Sequence, residues 1–339
     1  MCGADIGMQV TVIGHREVSE LLPMTECIEV MAGMFRALGE GEVMFPQRSV
    51  MWQPDKKGAL GLMPSWLGEP YALGAKVVSV FPGNVESPYE SHQGAVLLFE
   101  TENGRLQAIV DAGAITAIRT AAVSGLATRL LSREAADDLA ILGSGTQAEM
   151  HLAAMRAVRP VRRLRVWSRN AGHASRFAEY AAKHYEVTVT PVGNAEAAVN
   201  GAELVCTVTG STEPVLKGEW LAPGAHVNAV GASVPPFREL DTGAVVRSRL
   251  FVDSKTSVLA EADDVRIPLR DKSIPESHIL GELADLVLGR VEGRTGSDDI
   301  TLFKSVGLAA EDLAAARYVY GRAVQSGAGT RIDFGSGRT

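Results

Sequence analysis

The chain has 339 residues, 46% hydrophobic and 22% charged, with a formal net charge of −7. This length and balance suggest two globular domains with sizeable cores, and exclude a disordered or collagen-like chain. The acidic charge argues against a protein that coats nucleic acid through its overall field. The cysteines Cys2, Cys27 and Cys206 are odd in number and scattered, giving neither a disulfide framework nor a zinc spacing. No metal site is expected, and a reducing compartment is the simple reading. The start MCGADIGMQVTVIG lacks the basic-then-apolar pattern of a signal peptide, and no apolar run reaches membrane-spanning length. The expectation is a cytoplasmic protein that engages no membrane.

In chain order, Val18, Leu21, Leu22, Ile28, Met31, Met34, Phe35 and Leu38 recur at helical spacing and predict one helix over 15–40. After Pro46 come the short apolar runs RSVMW, ALGLMPSW, LGAKVVSVF, GAVLLFE and RLQAIVD. Asn103-Gly104 between the last two is a strong hairpin signal, so 45–111 reads as an antiparallel sheet. A helix over 114–131 follows. From about 138 the pattern alternates between strands (DLAILG, RLRVWS, VTVTPV, ELVCTVT, HVNAVGA, RLFVDS) and helical or turn segments. Such alternation argues for a Rossmann-type, doubly wound parallel sheet. The stretch TLFKSVGLAAEDLAAARYVYGRAVQ, 301–325, reads as a closing helix, and the tail GSGRT as frayed. The fold class is therefore α/β: a doubly wound sheet plus a second, α+β domain.

The strongest local motif is LAILGSGTQAEMH. Gly143, Gly145 and Ala148 fit G-x-G-x-x-[GA], directly after an apolar strand and opening a helix, with a second strand about 20 residues on. Gly143 permits the tight turn, Gly145 the close approach of backbone to a pyrophosphate, and Ala148 close helix–strand packing. Ser144, Thr146 and Gln147 complete the loop around the helix N-terminus, whose free N–H groups suit phosphate. The end of the next strand selects the nucleotide. Here it reads Trp167-Ser168-Arg169-Asn170, with no acidic residue for a ribose 2′-OH. Ser168, Arg169 and Asn170 suit a 2′-phosphate, so NADPH is expected, with NADH as the alternative. Arg169 also closes the run Arg156, Arg159, Arg162, Arg163 and Arg165, which reads mostly as solvated surface.

RTAAVSGLAT at 119–128, the GSGTQA fingerprint and FKSVGLAAEDLAAA at 303–316 together resemble the ornithine cyclodeaminase/mu-crystallin family, over roughly residues 10–325. The resemblance implies a homodimer. Each chain would carry a discontinuous substrate-binding and dimerisation domain (1–130 and 308–339) and a Rossmann domain (131–307). It implies pyridine-nucleotide chemistry at the Cα–N bond of an amino-acid-like substrate. Arg48, Lys76 and Arg119 match the family's substrate site. Two arginines suit a substrate carboxylate. A lysine in an apolar strand would have its pKa lowered by burial and could exchange a proton with the substrate nitrogen. Thr120 and Lys304 match positions near the cofactor, with a structural role as the equal alternative for Lys304. His92 receives no catalytic role, and Asp111 reads as organising a turn.

One departure bears on the reaction. Ornithine cyclodeaminases carry an aspartate where this sequence places Ser233, and Asp241 reads as the start of the next helix. A serine cannot pair an ammonium as a carboxylate does. The resemblance thus implies an NAD(P)H-dependent oxidoreductase acting on a small carboxylate-bearing imine. The expected reaction reduces Δ1-pyrroline-2-carboxylate or Δ1-piperideine-2-carboxylate to L-proline or L-pipecolate. The alternatives are an ornithine cyclodeaminase, an alanine dehydrogenase, or a non-catalytic NADPH-dependent ligand-binding protein.

Overall fold

A computed structural model of the chain describes residues 9–68 and 70–335. Cys2 and most of the GSGRT tail lie outside the described residues. The chain divides into two compact units, one formed by 1–119 with 308–339 and the other by 120–307. Among the described residues, no helix is long and apolar enough to cross a membrane.

The first unit carries a mixed sheet. Its strands are β1 (Gln9–Ile13), β2 (Val43–Met44), β3 (Ser49–Trp52), β4 (Ala59–Gly68), β5 (Tyr71–Val80), β6 (His92–Phe99), β7 (Leu106–Asp111) and the final β16 (Thr330–Asp333). Strands β4 to β7 form an antiparallel meander, with β2 and β3 paired to β4. Strand β1, for which the sequence reading gave no expectation, adds parallel to β7 and receives β16 antiparallel. The period-2 pattern is clear along β4, where Ala59, Gly61, Met63, Ser65 and Leu67 are buried and alternate with more exposed residues. The C-terminal helix Ala309–Ser326 packs on the buried face. Gly74 makes that approach possible, because a Cβ there would lie 2.7 Å from Leu313 Cδ1 and 2.4 Å from Leu97 O.

Two helical expectations are corrected in this unit. The helix over 15–40 is broken into His15–Leu21 and Met24–Glu40. Pro23, at φ −56° and ψ 144°, stands at the N-cap of the second helix. Proline disfavours helical backbone in the residue before it, which ends the first segment. The closing helix starts at Ala309, because Thr301–Lys304 is a strand of the other unit.

The second unit is an eight-stranded parallel sheet. Its strands are β8 (Asp138–Leu142), β9 (Arg163–Trp167), β10 (Thr188–Pro191), β11 (Leu204–Thr207), β12 (His226–Ala229), β13 (Arg249–Val252), β14 (Ile279–Glu282) and β15 (Thr301–Lys304). The order is β10-β9-β8-β11-β12-β15-β13-β14. The chain runs outward from β8 through β9 to β10, then returns to build the other side from β11. The reversal between β8 and β11 is where open α/β sheets bind ligands, beyond the carboxyl ends of the strands. Buried Ala140, Leu142, Val205, Val227, Leu250 and Leu302 supply the core. TLFK is buried throughout, and a short continuous apolar run does not distinguish strand from helix by period. Pairing with β12 and β13 on its two sides decides for strand.

One member of the arginine run is not on the surface. Arg159 is buried and closes the end of the helix Ala112–Leu131, donating to the carbonyls of Thr128 at 3.0 Å and Arg129 at 2.9 Å. Cationic donors at a helix C-terminus satisfy carbonyls that have no intrahelical partner.

Candidate active site

In the parallel-sheet unit, Gly143 follows β8 with φ +129°, a backbone that side chains rarely adopt, and a Cβ would lie 2.8 Å from Val208 O. Gly145 is the N-cap of the helix Thr146–Val158, which has no side-chain cap. A Cβ on Gly145 would meet nothing within 4 Å, so the absent side chain leaves open space at an uncapped helix N-terminus. Gln147 Oε1 is buried without a hydrogen-bond partner among the described residues, and Ala148 is fully buried against the sheet. Ser144 Oγ donates to Ser168 Oγ at 3.0 Å, joining the glycine loop to the end of β9. Arg169 is exposed beside it, and Asn170 accepts the His173 N–H at 3.2 Å as a helix cap. Open space and uncapped N–H groups at a helix N-terminus fit a dinucleotide phosphate group. Thr120 is half-buried within the helix Ala112–Leu131.

Of the two roles open to Lys304, its surroundings are those of the structural one. It is 0% exposed, and its ammonium lies 3.0 Å from Asp264 Oδ2. Asp264 Oδ1 accepts the N–H groups of Glu239 and Leu240, each at 2.8 Å. Glu239 in turn accepts from Thr207 Oγ1 at 2.8 Å and from the Gly231 N–H at 2.7 Å. Burial raises the Glu239 pKa, with Lys304 opposing. The lysine therefore anchors a buried network tying β15 to the ends of β11 and β12. Ser233 stands half-buried in the loop after β12. Asp241 caps the helix Thr242–Val246, accepting the Ala244 N–H at 2.7 Å.

The sheet unit formed from both chain ends holds the second group. Lys76 is on the inner face of β5, opposite Met63 of β4 and Val96 of β6. Thr116 and Arg119 are three apart on the helix Ala112–Leu131, so they share a face. Asp111 caps this helix by accepting the Ala114 N–H at 2.7 Å, an organising role. The C-terminal helix contributes Glu311 and Asp312 from its first turn, and Ser65 Oγ of β4 donates to Ala309 O there at 3.2 Å.

These side chains meet in one buried cluster. Lys76 Nζ is 2.7 Å from Asp312 Oδ2 and donates to Thr116 Oγ1 at 3.2 Å. Arg119 Nε donates to Asp312 Oδ1 at 2.9 Å, and Arg119 Nη1 donates to Glu311 Oε2. Lys76 is 4% exposed and Arg119 5%, while both carboxylates are fully enclosed. Burial lowers the Lys76 pKa from 10.5 to about 8; Asp312 pulls it back up, and the charges of Arg119 and Arg48 push it down. Burial opposes the Arg119 charge, but Asp312 and Glu311 outweigh it and raise its pKa. Burial likewise works against ionised Asp312, yet Arg119 and Lys76 hold it below the ordinary carboxylate range. Arg48, half-buried between β2 and β3, is near enough for its charge to act on Lys76. His92 begins β6, with Nδ1 3.0 Å from Ser91 Oγ.

The sequence reading singled out the cations and missed the anions. Glu311 and Asp312 stand in GLAAEDLAAA, and two acids within an otherwise small and apolar stretch were the available signal. Such residues are almost never fully buried unless paired.

The family model for the ornithine cyclodeaminase/mu-crystallin family matches residues 8–327. The chain belongs to this family. Ketimine reductase mu-crystallin of Mus musculus is 39% identical over 305 residues, covering 90% of this chain and 92% of the relative. A Delta(1)-pyrroline-2-carboxylate reductase of Bacillus cereus is 34% identical over 324 residues, covering 95% of this chain and 99% of the relative. Among solved structures, the Thermococcus litoralis Delta(1)-pyrroline-2-carboxylate reductase in complex with NADH and L-proline superposes with a TM-score of 0.93. It is 36% identical, covering 95% of this chain and 100% of that one.

Proposed function

We propose that this chain is an NAD(P)H-dependent ketimine reductase that converts Δ1-pyrroline-2-carboxylate or Δ1-piperideine-2-carboxylate to the cyclic amino acid. The observation that carries this reading is the buried cluster. It holds an ammonium and a guanidinium on one carboxylate, in a chain whose relatives include ketimine and Δ1-pyrroline-2-carboxylate reductases. A bound nicotinamide supplies hydride for the C=N carbon.

The chain's own residues do the rest. Arg119, with two of its nitrogens committed to Asp312 and Glu311, presents Nη2 to the substrate carboxylate, and Arg48 adds charge beside it. Lys76, with a pKa lowered to about 8, holds a proton at Nζ near neutrality and can transfer it to the imine nitrogen. Gly143, Ser144, Gly145, Thr146, Gln147 and Ala148 would hold the pyrophosphate. Ser168, Arg169 and Asn170 would hold the adenosine side, and with no carboxylate there NADPH is favoured over NADH. Thr120 would support the phosphates. Lys304 acts indirectly, by fixing the end of β15. Ser233 lacks the carboxylate that cyclisation of ornithine would use on a side-chain amine.

The proposed partner is a second copy of the chain. Register puts Met44, Met51, Leu60, Leu62, Trp66 and Leu73 on the outer face of β2–β5. Met44 and Met51 are each 67% exposed and Leu62 45%. An apolar face of this kind marks an interface.

The direct test follows NADPH and NADH oxidation with each cyclic imine, alongside pyruvate plus ammonia and ornithine plus NAD+. Oxidation on the imines is expected. Activity confined to pyruvate plus ammonia, or to ammonia release from ornithine, would replace this reading with the corresponding alternative.

A further inference from the structure

The roles given to Lys76 and Arg119 leave open what makes each present a particular donor to a substrate. The start of the C-terminal helix answers this. An ammonium has three N–H donors. Lys76 Nζ has two acceptors beside it, Asp312 Oδ2 at 2.7 Å and Thr116 Oγ1 at 3.2 Å. Arg119 commits Nε to Asp312 Oδ1 at 2.9 Å and Nη1 to Glu311. Asp312 thus gives one oxygen to each cation. Its own helix is fixed at the same turn, by the Ser65–Ala309 hydrogen bond and by Leu313 seated over Gly74.

We propose that Asp312 is a positioning residue for imine reduction: its carboxylate clamps Lys76 and Arg119 together, with Thr116 and Glu311 as second holds. One Lys76 N–H and Arg119 Nη2 are thereby reserved for the substrate nitrogen and carboxylate. The proposal rests on the ketimine-reductase reading of the site. A clamp also has an electrostatic consequence. The charged and titratable groups acting on Lys76 are Asp312 on the C-terminal helix, Arg119 on the helix Ala112–Leu131 and Arg48 between β2 and β3. Glu311 stands next to Asp312, and His92 at the start of β6 feels the lysine's charge. Asp312 is the anion in contact, so its neutralisation leaves Lys76 facing two repelling cations.

In Asp312→Asn the alkaline limb of kcat/KM, set by loss of the Lys76 proton, moves to lower pH by about one unit or more, as expected for losing an adjacent opposite charge. A purely structural role would lower the amplitude and leave the limb in place. Thr116→Val, which keeps the side-chain volume, lowers kcat about tenfold, equivalent to 1.36 kcal/mol of barrier, with little change in KM, and Thr116→Ser restores it. Nζ NMR of 15N-lysine-labelled protein, assigned with Lys76→Met, reads the lysine's titration without turnover. Unchanged Lys76 titration in folded Asp312→Asn overturns the clamp. So does wild-type kcat in Thr116→Val, which decides the matter alone if Asp312→Asn does not fold. No wild-type turnover, together with an Asp312-dependent titration, refutes the reductase reading and leaves the clamp standing.

Discussion

Replacing Lys76 by Met should flatten one segment of the pH dependence of stability. The Lys76 ammonium is 4% exposed, and burial lowers its pKa from 10.5 to about 8 despite the pull of Asp312. In the unfolded chain the same lysine titrates normally, near pH 10.4. Between the two values the unfolded chain holds a proton that the folded chain has released. Stability owed to this group therefore rises with pH across that window. Below about pH 8 both states are protonated and the burial penalty is complete. At 1.36 kcal/mol per pKa unit it amounts to about 3 kcal/mol. Above the unfolded pKa both states are neutral and the penalty is gone. Methionine fills similar space and does not titrate, so Lys76→Met lacks this segment. It also leaves Asp312 paired with Arg119 alone, which lowers stability by an offset that does not follow the lysine's titration. The measurement is urea unfolding of both proteins, followed by tryptophan fluorescence, at a series of pH values from neutral to strongly alkaline. Titration of other groups cancels in the difference between the two curves. That difference should grow by about 3 kcal/mol in favour of the wild type. Parallel curves would show that Asp312 fully offsets the burial of the ammonium, leaving its folded and unfolded pKa values equal, and would refute the reasoning.

Three further substitutions test other parts of the molecule. Gly143→Ala forces a side chain onto φ +129° with its Cβ 2.8 Å from Val208 O; strain of roughly 1–3 kcal/mol should displace the loop. NADPH affinity measured by fluorescence titration should fall at least about tenfold, and an unchanged Kd would contradict the role of this loop. Ser168→Asp places a carboxylate at the end of β9 and should raise KM for NADPH at least about tenfold relative to NADH, since charged hydrogen bonds contribute roughly 1.5–3 kcal/mol. A wild type that already prefers NADH would refute the nucleotide assignment. Leu62→Asp, on the outer sheet face, should convert a dimer to a monomer in sedimentation equilibrium, and a wild-type monomer would remove that interface.

How much of this was legible depended on whether the deciding contact was local. The glycine loop could be read because its requirements lie within one turn: the left-handed φ of Gly143, the uncapped helix at Thr146, the small Ala148. The meander could be read because β4–β7 alternate residue by residue and Asn103-Gly104 supplies the turn. TLFK could not, because only β12 and β13 on either side make it a strand. The surroundings of Arg159 and Lys304 were hidden for the same reason, their partners being helix-end carbonyls and Asp264 far along the chain.

The active-site cluster shows where such long-range pairing can still be inferred. AKVVSV, AIRTAA and GLAAEDLAAA each set charge in an apolar stretch, and each alone is a costly anomaly. Taken together they contain two positive and two negative charges, from Lys76, Arg119, Glu311 and Asp312. Buried charges persist when they are paired, and a balanced set from strand, helix and helix already points to one shared site. The geometry adds the element that balance alone cannot supply: Asp312 bridges both cations, and that bridge is what the proposed positioning role rests on.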